Sequence, residues 1–495
     1  MLEKPNNPAL AIVLLSGLYL ILTSTFTLFN SLTDFDAKRL LQLLLFTAVM
    51  IIAVAWAPLR NETVKQLDRL STLARWLLAS FFALGLVSSL SLDHPGYALV
   101  DVSMMFIMMV LIAVTAGSRE LSGRHFDQWA VVLLSVLGLA VCIQEIMGYV
   151  AGWVMGSEFN YTQAFIHFAH PRFYNQLQTW SIPVIAALPL VFPDKRWIKF
   201  GCVILLGLQW FLVITIAARG TVVSLFIAMI FISLWLPAQR KFWVKYQLAG
   251  LLCGGVIYTF ILFLNGVFIP QTQSGEFYAH SLGRPLAHTS GRSMLWRLSV
   301  EDAIKHPVLG AGPTRYACDT ERTLPAHPHS FPLRILGEWG VIAALLLLFL
   351  AIHIGLGFLN HLKHSSHSNQ KDPPLKAILA ICLIAGFVHA CLSGLLIMPA
   401  SQVAMILIAG WTLSLCGNNL VTPQYPVKAS LLLLTALLLS LAILGFVGKE
   451  IPLLPQRTSY AQLKGPTVPR FWLNGRVCDY RYVVQWSESD APNNQ

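Results

Sequence analysis

Charge is scarce in this sequence: Asp, Glu, Lys and Arg together make up 12% of 495 residues, against 56% hydrophobic. An ordinary soluble domain carries about 25% charged residues, so water is excluded as the main solvent and lipid takes its place. The alternation of apolar and polar residues that marks a membrane β-barrel is also absent. That leaves helices, because a backbone facing lipid must satisfy its own hydrogen bonds. No small-residue cleavage site follows the apolar core of residues 1–30, so the first helix is read as a retained anchor and not as a removed signal peptide. Internal repeats and paired broken helices are missing, which weakens a secondary-transporter reading. No H-E-x-x-H or C-x-x-C spacing occurs, and no structural metal or cofactor is expected. Nor does any stretch resemble a nucleic-acid-binding module, so the formal net charge of +11 is read as loop charge and no nucleic-acid partner is expected.

What is present is a succession of apolar runs bounded by charge or turn clusters. Their limits predict an all-α polytopic membrane protein with about 13 transmembrane helices: 8–30, 38–57, 75–92, 96–117, 127–149, 178–193, 197–217, 219–237, 245–266, 333–358, 375–397, 400–416 and 427–447. Short loops on one side hold 17 Lys and Arg, those on the other only Lys38, Arg39, Arg172 and Arg219. The bias predicts a cytoplasmic N-terminus and an outer tail. Four parts follow: N-terminal transmembrane helices over 1–266 with an outer loop at 150–178, a large outer loop between helices 9 and 10 over 267–332, C-terminal transmembrane helices over 333–447, and an outer tail over 448–495. Six of the eight cysteines fall in or at the ends of apolar helices, where a thiol behaves as a small hydrophobe. Cys318, in the outer loop, and Cys478, in the tail, are expected to form a disulfide in an oxidising compartment.

Polar residues with chemistry collect on the outer side, in "FIHFAHPRFYNQLQTW" (165–180), "AARGTVVS" (217–224) and the long stretch that ends in "AHPHSFPLRILGEWG" (326–340). Within that stretch, "GRSMLWRLSVEDAIKHPVLG" predicts an amphipathic helix, with Trp296, Val300, Ala303 and Ile304 on its apolar face and Arg297, Glu301, Asp302 and Lys305 opposite. Alone, Arg219 is compatible with a helix-end arginine snorkelling to headgroups, Arg172 shares that reading, and Arg292 fits a solvated helix start. Together they suit a diphosphate anchored in lipid, because guanidinium forks match phosphate oxygens and stay charged when buried. His329 supplies a base, since an imidazole accepts a hydroxyl proton at neutral pH. Ser330 and Pro332 predict a helix start immediately after it, and the positive helix end favours the neutral ring. His327 is read as a supporting neighbour. Glu338, two turns into the helix, needs a partner and could orient an arginine or histidine.

The segment "SGRSMLWRLSVEDAIKHPVLGAGPTRY", followed by "HPHSFPLRILGEWGVIAA", resembles the signature region of the O-antigen ligase and polymerase superfamily. The shared features are Gly-Arg before a Trp, then His-Pro and Gly-x-Gly, then a histidine leading into a helix with Glu-x-Gly. "IAARGTVVSL" is similar to the family's second arginine site and "HPRFYNQLQTW" to its first outer-loop site. The resemblance covers roughly residues 160–345. It implies a metal-independent glycosyltransferase acting on undecaprenyl-diphosphate-linked glycans at the periplasmic face of a Gram-negative inner membrane. By the same resemblance His329 matches the catalytic base, Arg219 and Arg292 the diphosphate-binding arginines, and Arg172 with Asn175 and Gln176 the donor-side loop. Members often carry Asn after the histidine, where this chain has Ser330.

The acceptor divides the family. Lipid A-core makes an O-antigen ligase, which is placed first; a Ser or Thr of pilin or another protein makes an O-oligosaccharyltransferase; the growing glycan makes a polymerase. Besides donor and acceptor, membrane lipids are the expected partners. A lipid-linked glycan transporter is the alternative of a different class; it would need charged residues near the midplane on several helices.

Overall fold

The computed structural model describes residues 8–93, 95–156, 165–168, 170–238, 240–268, 291–318, 325–367, 373–416, 429–456 and 469–475. Among the described residues the regular structure is entirely helical: α1 (Leu10–Thr25), α2 (Asp34–Ala55), α3 (Ala57–Asp68), α4 (Thr72–Leu90), α5 (Gly96–Ser122), α6 (Arg124–Met155), α7 (Pro171–Ile185), α8 (Leu188–Val191), α9 (Arg196–Thr215), α10 (Arg219–Trp235) and α11 (Arg240–Phe268). After the long loop come α12 (Arg292–Lys305), α13 (Arg315–Cys318), α14 (Phe331–His367), α15 (Pro373–Leu392), α16 (Pro399–Cys416) and α17 (Ala429–Gly448), then a 3-10 turn over Ile451–Leu453.

Ten of the described helices are long and apolar enough to cross a membrane: α2, α4, α5, α6, α9, α11, α14, α15, α16 and α17. The apolar helices α1 and α10 are shorter. The chain is a multi-pass membrane protein, but the expected count of about 13 is not reproduced by this measure. The run expected to span 178–193 is where sequence and structure part. Helix α7 begins earlier, at Pro171, carries Pro183 inside it and stops at Ile185, with α8 following as a separate turn. Its Asn, Gln and Thr side chains are buried against other helices, so the helix is held by protein contacts and not by apolar exposure to lipid. Residues 150–155 and 171–178, expected in an outer loop, are helical ends of α6 and α7. The side chain of Cys318 and all of Cys478 lie outside the described residues, as do residues 269–290 of the large loop.

Close helix approach rests on small side chains, as is usual where lipid supplies no hydrophobic drive. Helix α11 lies along α9 at Gly254, where an added Cβ would come within 2.8 Å of the Gly207 carbonyl oxygen.

The amphipathic helix forms at 292–305, and Val300 and Ile304 of its apolar face are turned away from the protein body. Leu295, Ser299 and Ala303 are buried, whereas Val300 is 39% and Ile304 73% exposed. The reason is again steric: α12 crosses α14 at Gly337, where an added Cβ would come within 2.9 Å of the Ser299 carbonyl oxygen. A small-residue face fits that approach and the bulkier Val and Ile do not.

Helix α14 is broken at Gly340, whose φ of 88° and ψ of 172° are not helical. The break frees backbone groups at 337, 338 and 341, and a neighbouring loop takes them up. Ala311 N–H donates to the Gly337 carbonyl (2.9 Å), Gly312 N–H to the Glu338 carbonyl (2.9 Å), and Val341 N–H to the Pro307 carbonyl (2.8 Å). A buried helix break is tolerated only when its groups find such partners. Gly340 fits because its φ is disfavoured for any side chain, and Gly310 fits because an added Cβ would sit 2.4 Å from the Glu338 backbone. The Gly-x-Gly and Glu-x-Gly motifs are thus two halves of one backbone splice.

Candidate active site

His329 ends the short loop 325–330 that enters α14. Its backbone is left-handed, with φ 53°. This costs about 1–3 kcal/mol for a residue with a side chain and calls for a local restraint. His327 provides one: its Nδ1 accepts a hydrogen bond from His329 N–H at 3.1 Å, and the two rings meet edge-on with centroids 4.2 Å apart. The hydrogen bond requires an unprotonated Nδ1 on His327, and deep burial, followed by the nearby cations, holds that ring well below the usual histidine range. His329 itself is pushed down to about 4, first by burial and then by the charges of Arg292, Arg172 and His170. Both imidazoles are neutral at pH 7.

Two of the expected site residues, Arg292 and Arg172, therefore stand within electrostatic reach of a third, His329. Arg292 is the first residue of α12, after Gly291 in a left-handed turn (φ 75°). Arg172 is exposed in the first turn of α7, where the His170 Nδ1 accepts from its N–H at 3.1 Å. Arg219 is the first residue of α10, after a tight turn in which Ala217 has φ 52°. It is linked to the group through its neighbour Gly220, where an added Cβ would lie 2.8 Å from His389 Nε2. His389 lies in turn within electrostatic reach of Arg292, and its Nδ1 is 2.7 Å from Thr179 Oγ1 of α7. The N-terminal ends of α7, α10, α12 and α14 thus carry Arg172, Arg219, Arg292 and the His329 loop respectively. A helix N-terminus is already positive, so a cation there is opposed by the helix dipole.

Asn175 and Gln176 are placed differently. Both are buried. Asn175 Nδ2 donates to Gln178 Oε1 (2.6 Å), its carbonyl accepts from Thr221 Oγ1 (2.9 Å), and Gln176 Nε2 donates to Ser393 Oγ (2.8 Å). They tie α7 to α10 and to the segment after α15, beneath the surface that Arg172 occupies.

Glu338 has the partners its position demanded. Its Oε2 accepts from Arg334 Nε at 3.2 Å and from Arg470 Nη2 at 2.6 Å, and Arg334 also pairs with Asp101 of α5. Arg334 stands four residues before Glu338, a spacing at which opposite charges meet on a helix, so it was recoverable from the quoted stretch. His389 and Arg470 were not: nothing local marks either one. No group of three or more His, Cys, Asp or Glu able to hold a metal ion occurs among the described residues.

Fold and site together define a multi-pass helical membrane protein whose loop histidine lies within electrostatic reach of two arginines at helix N-termini. Residues 201–348, from α9 into α14, match the family described as O-antigen ligase. The matched region contains Arg219, Arg292, His327, His329 and Glu338, and it supports the O-antigen ligase and polymerase superfamily that the motifs resemble. Members of that family are glycosyltransferase-like enzymes. No curated protein matches the chain.

Proposed function

We propose that the protein is a glycosyltransferase of the bacterial inner membrane. It moves a glycan from undecaprenyl diphosphate to an acceptor hydroxyl on the periplasmic side. The observation that carries this reading is the positive charge of Arg172, Arg219 and Arg292 at three helix N-termini, with Arg172 and Arg292 in electrostatic reach of the neutral His329 imidazole at the start of a fourth helix. Guanidinium forks and positive helix ends both favour an anion, and a diphosphate at headgroup depth supplies two phosphates' worth of charge.

In the step proposed, the acceptor oxygen attacks the anomeric carbon as His329 takes the hydroxyl proton. The bond between the anomeric carbon and the phosphate oxygen breaks, and its electron pair leaves with the polyprenyl diphosphate. Arg219, Arg292 and Arg172 stabilise that departing charge, usually the largest contribution in a site of this kind. No metal enters this scheme. A base held near 4 is weak, but a bound diphosphate offsets the nearby cations and raises the imidazole's proton affinity when it is needed. The acid limb of kcat should therefore lie at higher pH than that of kcat/KM. Coincident limbs would contradict the proposed coupling.

The acceptor placed first is lipid A-core, which makes the protein an O-antigen ligase. Purified protein is given an undecaprenyl-diphosphate glycan and, in parallel, lipid A-core, pilin and free glycan. Transfer to lipid A-core alone is the expected result; transfer only to pilin or glycan would reassign it as an oligosaccharyltransferase or polymerase. His329→Ala should abolish transfer while the protein still inserts and purifies normally. Wild-type rates in that variant would remove His329 from its role.

A further inference from the structure

Residues 470–473, far beyond the family match, are buried in the body of the protein at 3%, 9%, 1% and 6% exposure. Their backbone is fastened mainly to α2, and their side chains reach other elements. The Arg470 and Phe471 carbonyls accept from Arg39 of α2, the Phe471 bond measuring 3.0 Å. The Trp472 indole donates to Tyr97 Oη at 2.9 Å and Glu450 Oε2 at 3.1 Å, and Leu473 N–H donates to Asp36 Oδ1 at 2.7 Å. The Arg470 guanidinium, so delivered, bridges the two ends of the histidine loop: Nη2 to Glu338 Oε2 in α14 and Nη1 to the Ala326 carbonyl at 3.4 Å.

We propose that Arg470 is a positioning residue for transfer: the C-terminal segment inserts it so that the His327–His329 loop keeps the conformation that presents His329. The inference rests on the reading of His329 as the base. Two effects follow from the same guanidinium. It ties Ala326 to Glu338 across the loop, and it is a fixed cation beside His327. The other ionisable groups around His327 are His329 on its own loop and Arg334 and Glu338 on α14, with Asp101 of α5 paired to Arg334. Ser393, Gly394, Leu396 and Ile397, which line the remaining side, contribute none.

The sign of the electrostatic effect is definite. Both Arg470 and Arg334 disfavour a proton on His327, and a protonated Nδ1 cannot accept the His329 N–H. Removing one cation raises the pH at which His327 protonates, so the restraint on His329 is lost at higher pH as the solution is acidified. A purely structural role would lower the yield of folded protein but leave the pH profile of the surviving enzyme unchanged.

The test uses full-length Arg470→Gln and Arg470→Lys beside wild type and His329→Ala, with donor binding measured separately from turnover. Arg470→Gln should lose kcat by roughly tenfold or more with donor affinity within about threefold, because the arginines that face the diphosphate are untouched. The limb read here is the titration of the His327 ring itself, followed by NMR and distinct from the kinetic limb set by His329, and it should move up by about one pH unit. Arg470→Lys, which restores the cation, should return the limb to the wild-type position whether or not the rate recovers fully. If Arg470→Gln folds in too low a yield, Arg470→Lys is compared with Arg470→Met, scored per folded molecule from donor-binding stoichiometry. An unshifted limb in folded Arg470→Gln or Arg470→Met overturns the proposal. An active His329→Ala overturns the base reading instead, so the two failures are distinguishable.

Discussion

Near the histidine loop this molecule holds two sets of arginines that differ in their surroundings. Arg39, Arg334 and Arg470 are buried and saturated. Arg39 contacts Gln42 and Gln402 side chains at 2.6 and 2.7 Å and the Ile397 carbonyl at 2.6 Å, while Arg334 and Arg470 share Glu338. Arg172, Arg219 and Arg292 are half-buried or exposed, stand at helix N-termini, and come from stretches (165–185, 209–237 and 281–300) without a single Asp or Glu. The first set binds helix to helix and tail to loop. The second gathers cations at helix N-termini, where the helix dipole opposes them and an anion is favoured. The same residue type is locked by carboxylates, amides and carbonyl oxygens in the first set and stands at the more exposed helix ends in the second.

Four substitutions sharpen or break that contrast. The largest effect is expected from Arg334→Ala, which strands Asp101 and Glu338 beside a single remaining cation. Breaking a buried pair this way costs about 3–5 kcal/mol, read as a collapse of thermal stability in detergent. A wild-type melting temperature would mean that the buried set is not structural. Arg292→Gln should do the reverse, leaving melting nearly unchanged while kcat/KM for the donor falls on the order of a hundredfold. Because Arg292 is among the cations that hold His329 down to about 4, its removal raises that value and moves the acid limb of kcat/KM to higher pH. A limb that stays fixed would separate Arg292 from the histidine.

Next comes Gly340→Ala, which forces a left-handed φ on a residue with a side chain and drives its Cβ to 2.5 Å from the Val308 carbonyl oxygen. About 1–3 kcal/mol is expected for the backbone alone, visible as a lower unfolding temperature and faster amide exchange over 307–312. Full tolerance would show that the splice is not needed to hold α14. The smallest effect belongs to Ile304→Ser: at 73% exposure it should alter detergent-phase stability by less than about 0.5 kcal/mol.

Much of the fold was legible because lipid imposes a simple rule, and the apolar runs at 38–57, 96–117 and 400–416 each became a helix close to those limits. The reading failed where protein contacts replaced lipid. Helix α7 keeps its polar residues inside by hydrogen-bonding them to α9, α10 and α15, so hydropathy misplaced its start and made one span of α7 and α8. Which side of α12 packs inward was likewise not readable from apolarity, since clearance at Gly337 favours Ser299 there over Val300 and Ile304. In the site, His329 and the three arginines could be singled out because an ionisable residue at the edge of an apolar run is conspicuous. Arg470 lies in a tail whose local composition is unremarkable, and only its burial reveals it.

By itself the sequence determined the solvent, the all-helical class and the identity of the conspicuous cations and histidine at the edges of apolar runs, since each depends on local composition and on the cost of ionisable groups near lipid. Only tertiary structure decided which arginines are locked by carboxylates, which helix ends meet around His329, and that residues 470–473 are inserted beneath it. Those outcomes depend on contacts across more than a hundred residues of chain, such as Arg470 with Glu338 and Arg39 with Phe471, and no local pattern encodes where two distant side chains will meet.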